Sequence, residues 1–175
     1  MVKVIVSTDK ELIQLSQKVG IDTSILVNMT VKDINMFKFR ENEFLPSDYL
    51  YYAMRMKYEF KGVILSKYGF DKKEKNKLWR RAKSTLRLKP IAIGNRDISQ
   101  YLVRVGEANA LLVKQRYNSK YKIGEADIEI IAHYLKWGIS IVYTSDLAFH
   151  ETCKILGLKS ELISMSDYAE MKKRL

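Results

Sequence analysis

Two aspartates stand where apolar strands stop. Asp22 closes the run Val19 to Ile21, and Asp146 follows Ile139 to Tyr143 across the turn Thr144-Ser145. A carboxylate set between Ile21 and Thr23-Ser24-Ile25-Leu26-Val27 is costly to desolvate unless something positive compensates it. A bound metal would do so. Hard cations such as Mg2+ and Mn2+ prefer oxygen donors, commonly a few carboxylates together with waters and substrate phosphate. Two further acids could join such a centre: Asp127, in the first turn of a helix opened by Gly124-Glu125-Ala126, and Glu59, inside YEFKGVIL. Each acid also has an ordinary explanation. Asp127 and Asp146 suit helix N-termini, and Glu59 suits an ion pair with Lys57 or Lys61. Glu125 and Glu129 flank Asp127 and could share its role. Asp9, in VSTDKEL, is a rival first acid that a helix cap explains fully.

These acids lie in a basic protein. The 175-residue chain carries a net charge of +11, which makes an anionic partner the first suspicion. Residues 72 to 89, KKEKNKLWRRAKSTLRLK, hold nine Lys or Arg against the single acid Glu74, so much of the surplus sits in one segment. Lys77, Arg80, Arg81 and Lys83 are its candidate phosphate contacts, with Trp79 among them as a ring for base stacking. Tyr117 and Tyr121 lie in a second basic stretch, KQRYNSKYK, at 114 to 122. A solvated helix face is the bland alternative.

The elements that must position the acids alternate. A strand at Val2 to Val6 and a helix after Ser7-Thr8-Asp9 precede the strand Val19 to Asp22. Residues 30 to 45 read as irregular or a short helix, with Pro46-Ser47-Asp48 as a stop and cap. A helix is expected from Tyr49 to Tyr68, ending at Gly69, and a basic helix to about Lys89, stopped by Pro90. Ile91 to Ile93 reads as a brief buried strand, 97 to 116 as a helix, and Gly124-Glu125-Ala126-Asp127 as the opening of a helix closed by Gly138. The strand Ile139 to Tyr143, a helix from Leu147 to Leu156, a strand at Leu162-Ile163 and a final helix capped by Ser166-Asp167 complete the chain. This pattern predicts an α/β fold of three layers, α/β/α, around a central mainly parallel sheet. The whole chain, 1 to 175, reads as one domain, with 1 to 18 as an N-terminal strand and helix extension.

Four blocks, IDTSIL (21 to 26), EFKGVIL (59 to 65), GEADIEIIA (124 to 132) and IVYTSDLAF (141 to 149), resemble the four acidic blocks of PIN domains, in the same order. The resemblance spans about residues 18 to 165. It implies a small parallel-sheet nuclease that cuts RNA with Mg2+ or Mn2+, often as a homodimer, and frequently as the VapC-like toxin of a toxin and antitoxin pair. By the same resemblance Asp22, Asp127 and Asp146 bridge one or two metals and Glu59 holds a water on the metal. Thr23, Ser24 and Thr144 match hydroxyl positions that orient acids or water. The extension over 1 to 18 precedes the usual first strand and departs from that pattern.

Other chemistries fit less well. His133 and His150 lack a second histidine at metal-ligand spacing, which argues against a zinc hydrolase. The one cysteine, Cys153, precludes an internal disulfide or a cysteine-rich zinc site. No glycine-rich phosphate loop appears, and no D-x-D pair follows the first strand, as Thr23-Ser24 comes after Asp22. No apolar run approaches a membrane span and no secretory signal is visible, so the expected location is the cytoplasm. The two readings that remain are a metal-dependent ribonuclease and a non-catalytic PIN-like RNA-binding module.

Overall fold

The computed structural model describes residues 18 to 46 and 48 to 166. The strand at Val2 to Val6, the helix after Asp9, and the helix expected beyond Asp167 lie outside the described residues.

Five short strands form one sheet: β1 (Val19–Ile21), β2 (Leu50–Tyr52), β3 (Leu88–Pro90), β4 (Ile141–Thr144) and β5 (Lys159–Leu162). Their spatial order is β3-β2-β1-β4-β5, and every neighbouring pair is parallel, with Val19 opposite both Leu50 and Ile141. Parallel neighbours require crossover connections, and here each is helical. Helices α1 (Thr23–Val31) and α2 (Met36–Glu43) join β1 to β2, and α3 (Met54–Tyr68) and α4 (Lys72–Thr85) join β2 to β3. Helices α5 (Ser99–Arg116) and α6 (Glu125–Trp137) join β3 to β4, and α7 (Leu147–Ile155) joins β4 to β5. The chain thus steps outward from β1 to β3, returns across the sheet, and steps outward again on the other side. With right-handed crossovers this reversal puts the helices on both faces, which gives the α/β/α layering the pattern predicts.

The core follows from composition at the strands and at the inner helix stripes. Ile21, Leu50 and Val142 are fully buried in the sheet, and Ile25, Leu26, Phe60, Ile130, Ile131 and Phe149 cover it from the helices. Gly20 in β1 has a packing reason. A Cβ there would stand 3.1 Å from both Ile139 Cγ2 and Tyr134 Cε2, so only hydrogen lets the Tyr134 ring lie over the central strand.

Several boundaries differ from the sequence reading. The expected helix at Tyr49 begins only at Met54, because Leu50 to Tyr52 is a strand, with Leu50 and Tyr52 buried. Pro46 and Asp48 do not start a helix. Asp48 instead accepts the Leu45 N–H through Oδ2 at 2.9 Å, in a turn whose carbonyls at Leu45, Pro46 and Asp48 receive the buried Arg40 guanidinium. The strand expected at Ile91 to Ile93 forms three residues earlier and includes Pro90. β3 lies at the sheet edge, where a missing N–H leaves the ladder intact. The strand expected at Leu162-Ile163 starts at Lys159.

Candidate acidic site at the strand ends

In open parallel sheets, ligands bind beyond the carboxyl ends of the strands, at the point where the connection reverses direction. Here that point lies between β1 and β4. Asp22 follows Ile21 at the end of β1, and Asp146 follows Thr144 at the end of β4. Asp127 arrives from the first turn of α6 and Glu59 from the second turn of α3.

A network of hydroxyls fixes the first acid. Asp22 Oδ2 accepts from Ser24 Oγ at 2.5 Å, from Thr144 Oγ1 at 2.9 Å and from the Ser24 N–H at 3.4 Å. The last of these caps α1. Ser24 Oγ also accepts the Ser145 N–H at 3.0 Å, and Thr144 Oγ1 accepts the Asp146 N–H at 3.0 Å, so the β4 turn is tied to the start of α1. Asp146 caps α7 by accepting the Phe149 N–H through Oδ1 at 2.9 Å. Asp127 accepts the Gly124 N–H through Oδ2 at 3.2 Å. Glu59 accepts from Thr23 Oγ1 at 2.6 Å. The helix-start explanation of Asp127 and Asp146 therefore holds, and Asp22 proves to be a cap as well, yet each uses a single carboxylate oxygen. Three helix N-termini, each with partial positive charge, point into one region.

Burial, and after it the charges of neighbouring acids, raise the proton affinity of two of these acids. Asp22 is 1% exposed, and its carboxyl is pushed up to about 6, chiefly by burial. The Ser24 and Thr144 hydrogen bonds oppose the shift, and the charges of Glu59 and Asp146 add to it. Asp127, half-buried, is pushed up to about 8, first by burial, then by Asp22 and Glu59, with the Gly124 N–H opposing and Asp146 adding a little. Among the described residues none of the four acids takes part in an ion pair. Asp22 Oδ1 is buried with no hydrogen-bond partner, an orphan of the kind that calls for a missing cation or water.

Hard oxygen donors, a buried unpartnered oxygen and mutual repulsion without a compensating cation fit Mg2+ or Mn2+. Among the described residues, no three His, Cys, Asp or Glu side chains stand close enough together to form a ready-made ligand set. Mg2+ tolerates this openness, since it usually keeps several waters and takes only one or two carboxylates.

The basic segment is divided by its helix. Asp71 and Glu74 form a capping box that starts α4, and Lys77, Arg80, Arg81 and Lys83 are exposed along it. Trp79 corrects the sequence reading. It is 5% exposed and packs edge-on against Tyr52, with ring centroids 5.1 Å apart, and tilted against Phe60 at 5.8 Å. Its ring serves the core and has no face free for a base. Trp79→Ala is accordingly expected to cost about 3–5 kcal/mol of stability, measured by urea unfolding.

The neighbours of Asp127 and the two histidines have other partners. Glu129 pairs with Arg55 at 3.7 Å and lies 4.0 Å from the buried His133, while Glu125 is exposed. His150 Nδ1 meets Ser160 Oγ at 2.7 Å, on the β5 side of α7. Cys153 is buried, and burial pushes its thiol well up, as expected of a packing cysteine.

Two supporting residues escaped the sequence reading. The Tyr134 hydroxyl sits between the carbonyls of Ile21 and Tyr51, the latter at 3.1 Å, and so ties the end of β1, at the residue before Asp22, to the middle of β2. Asn28 donates from Nδ2 to Ser145 Oγ at 2.9 Å, a second tie between α1 and the β4 turn. Nothing local in sequence marks either one, because their partners lie far away along the chain.

No family model matches the chain, and no curated protein matches it. Among solved structures it is similar to a chain of VapBC-1 from nontypeable Haemophilus influenzae, with 15% identity and a TM-score of 0.58, over 83% of this chain and 98% of that one. At that identity the likeness is one of fold. No helix among the described residues is long and apolar enough to cross a membrane. The chain thus has the PIN-like α/β/α fold that its four acidic blocks resemble, with a five-stranded, all-parallel sheet flanked by helices.

Proposed function

We propose that the chain is a divalent-metal-dependent endoribonuclease whose centre is built from Asp22, Asp127, Asp146 and Glu59. The observation that carries this reading is the buried, unpartnered Asp22 Oδ1, with burial and then the neighbouring acids raising the proton affinity of Asp22 and Asp127, and with no ion pair to the four acids among the described residues. Asp22, Asp127 and Asp146 would hold Mg2+ or Mn2+ through the oxygens their helix caps leave open. Glu59, fixed by Thr23, would orient the attacking water. Ser24 and Thr144 keep Asp22 in place, and exposed cations of α4 would hold the RNA backbone. When bound, the metal would supply Lewis-acid polarisation and neutralise charge at the phosphodiester.

The test is cleavage of a labelled RNA pool with Mn2+, with and without chelator, by the wild type, Asp22→Asn and Asp146→Asn. Cleavage by the wild type alone, and only without chelator, is expected. Activity that survives both the chelator and the substitutions would overturn the mechanism. The open spacing of the acids favours one rival, a non-catalytic RNA-binding module; tight RNA binding with no cleavage under any metal would decide for it. A protein partner of the antitoxin kind belongs to the same proposal, supported by the VapC-like resemblance and by the likeness to VapBC-1; a homodimer rests on the resemblance alone.

A further inference from the structure

Helix α3 serves two neighbourhoods. Phe60 is buried and meets Trp79 of α4, and this packing sets the directions of the residues on either side of it. Glu59 reaches Thr23 and the acids. Lys61 lies on the α4 side, where Lys57, Lys75 and Arg80 are the charges close enough to act on it. Among the described residues none of these four cations has an ion-pair partner. Lys57 and Lys61 stand one turn apart, about 6 Å along the axis. Between them Tyr58 is 64% exposed, with Lys57 Nζ 5.9 Å from its ring centre. This group gathers along the line where two helices meet, beside an exposed aromatic ring. Cations that repel one another gain most from a polyanion, whose phosphates release counterions on binding. An exposed ring adds a stacking surface for a base, which an acidic polypeptide lacks.

We propose that the α3–α4 seam, made of Lys57, Lys61, Lys75 and Arg80 with the ring of Tyr58, holds single-stranded RNA. Its phosphates lie on the four cations and one base lies on Tyr58. The inference rests on the ribonuclease reading for the choice of RNA, and it departs from the whole basic segment as the track. Two of its cations and its ring come from α3, and the outer residues Lys77, Arg81 and Lys83 add only diffuse attraction.

The test uses the full chain carrying Asp22→Asn, in chelator, binding a short labelled single-stranded RNA. Added Lys61→Ala with Arg80→Ala is expected to weaken binding at least about tenfold and to flatten the slope of log affinity against log salt by about 1.4, or about 0.7 for each phosphate no longer neutralised. Tyr58→Ala is expected to cost about tenfold with the slope unchanged, the mark of missing base stacking. A charge-matched pair elsewhere, Lys32→Ala with Lys38→Ala, is expected to stay within about twofold. Equal losses for the two pairs would overturn the seam as a site, as would absence of RNA binding by the parent. Polyglutamate competing as well as RNA of equal charge would overturn the choice of partner. Cleavage is scored separately, so a seam that binds RNA without cleavage would end the hydrolase reading and leave this inference standing. Wild-type cleavage with seam variants that bind normally would do the reverse.

Discussion

Asp22→Asn is expected to abolish metal-dependent cleavage and, in chelator at neutral pH, to make the protein more stable. The carboxylate is buried, with one oxygen unpartnered. An amide can keep its oxygen on Ser24 and Thr144, remain an adequate helix cap, and remove the charge. The sign follows from the raised pKa. With a folded value of about 6 against 3.8, the acid imposes no penalty below pH ~4, and stability is lost as pH rises through about 6. Above that, at about 1.4 kcal/mol per unit, the penalty is on the order of 3 kcal/mol, of which the amide should recover about 1–3. Thermal unfolding in chelator at pH 7.5 should show a midpoint about 3–8 °C higher than wild type, and the gain should vanish near pH 4. Cleavage should fall by well over 100-fold, beyond the loss that follows removal of an outer-shell partner. A lower midpoint at pH 7.5 would mean that Asp22 is a structural cap and nothing more.

Asp22 was legible because strand-end position and an apolar setting are local facts. The stretch Val19-Gly20-Ile21-Asp22-Thr23 carries both, and Ile141 to Asp146 repeats them. β2 was hidden for the opposite reason. Leu50-Tyr51-Tyr52 is only three residues long and runs directly into α3, so the apolar periodicity of the helix absorbs it. The strand exists because β1 and β3 pair with it on both sides, and that is a property of the sheet. Pro90 misled through its ordinary meaning as a stop, which loses force on an edge strand.

The site divides along the same line. Asp127 and Asp146 announce themselves as helix-start acids, and those roles turn out to be real, with Asp22 a third cap that the sequence did not announce. What marks them out is that the capped helices converge and that, among the described residues, none of these acids is in an ion pair, which only the assembled fold can produce. Glu59 had resemblance alone in the sequence, and its hydrogen bond to Thr23 now ties it to the residue after Asp22. Trp79 shows the limit of composition. A tryptophan amid nine cations suggests base stacking, but α4 needs an inner stripe, and Trp79 with Ala82 supplies it.

Metal binding at pH 7 is expected to release about one proton. Asp127, pushed up to about 8, is then about nine-tenths protonated, and Asp22, at about 6, about one-tenth. A cation that takes both as carboxylates must displace that population. Calorimetric titration with Mn2+ in two buffers of different ionisation enthalpy reads the number directly, and it should fall toward zero by pH 9. Apparent affinity should rise about tenfold per pH unit between pH 6 and 8 and level off above. Asp127→Asn should reduce the proton count at pH 7 to about a tenth and remove most of the slope between 6 and 8, at the cost of weaker binding. A wild-type titration that releases no proton at pH 7, with affinity independent of pH, would place the cation away from Asp127. Cleavage should follow the same titration, because the burial and the neighbouring acids that keep Asp127 protonated in the metal-free protein are what a divalent cation offsets. A rise in rate across this pH range therefore reports assembly of the centre as well as ionisation of the water.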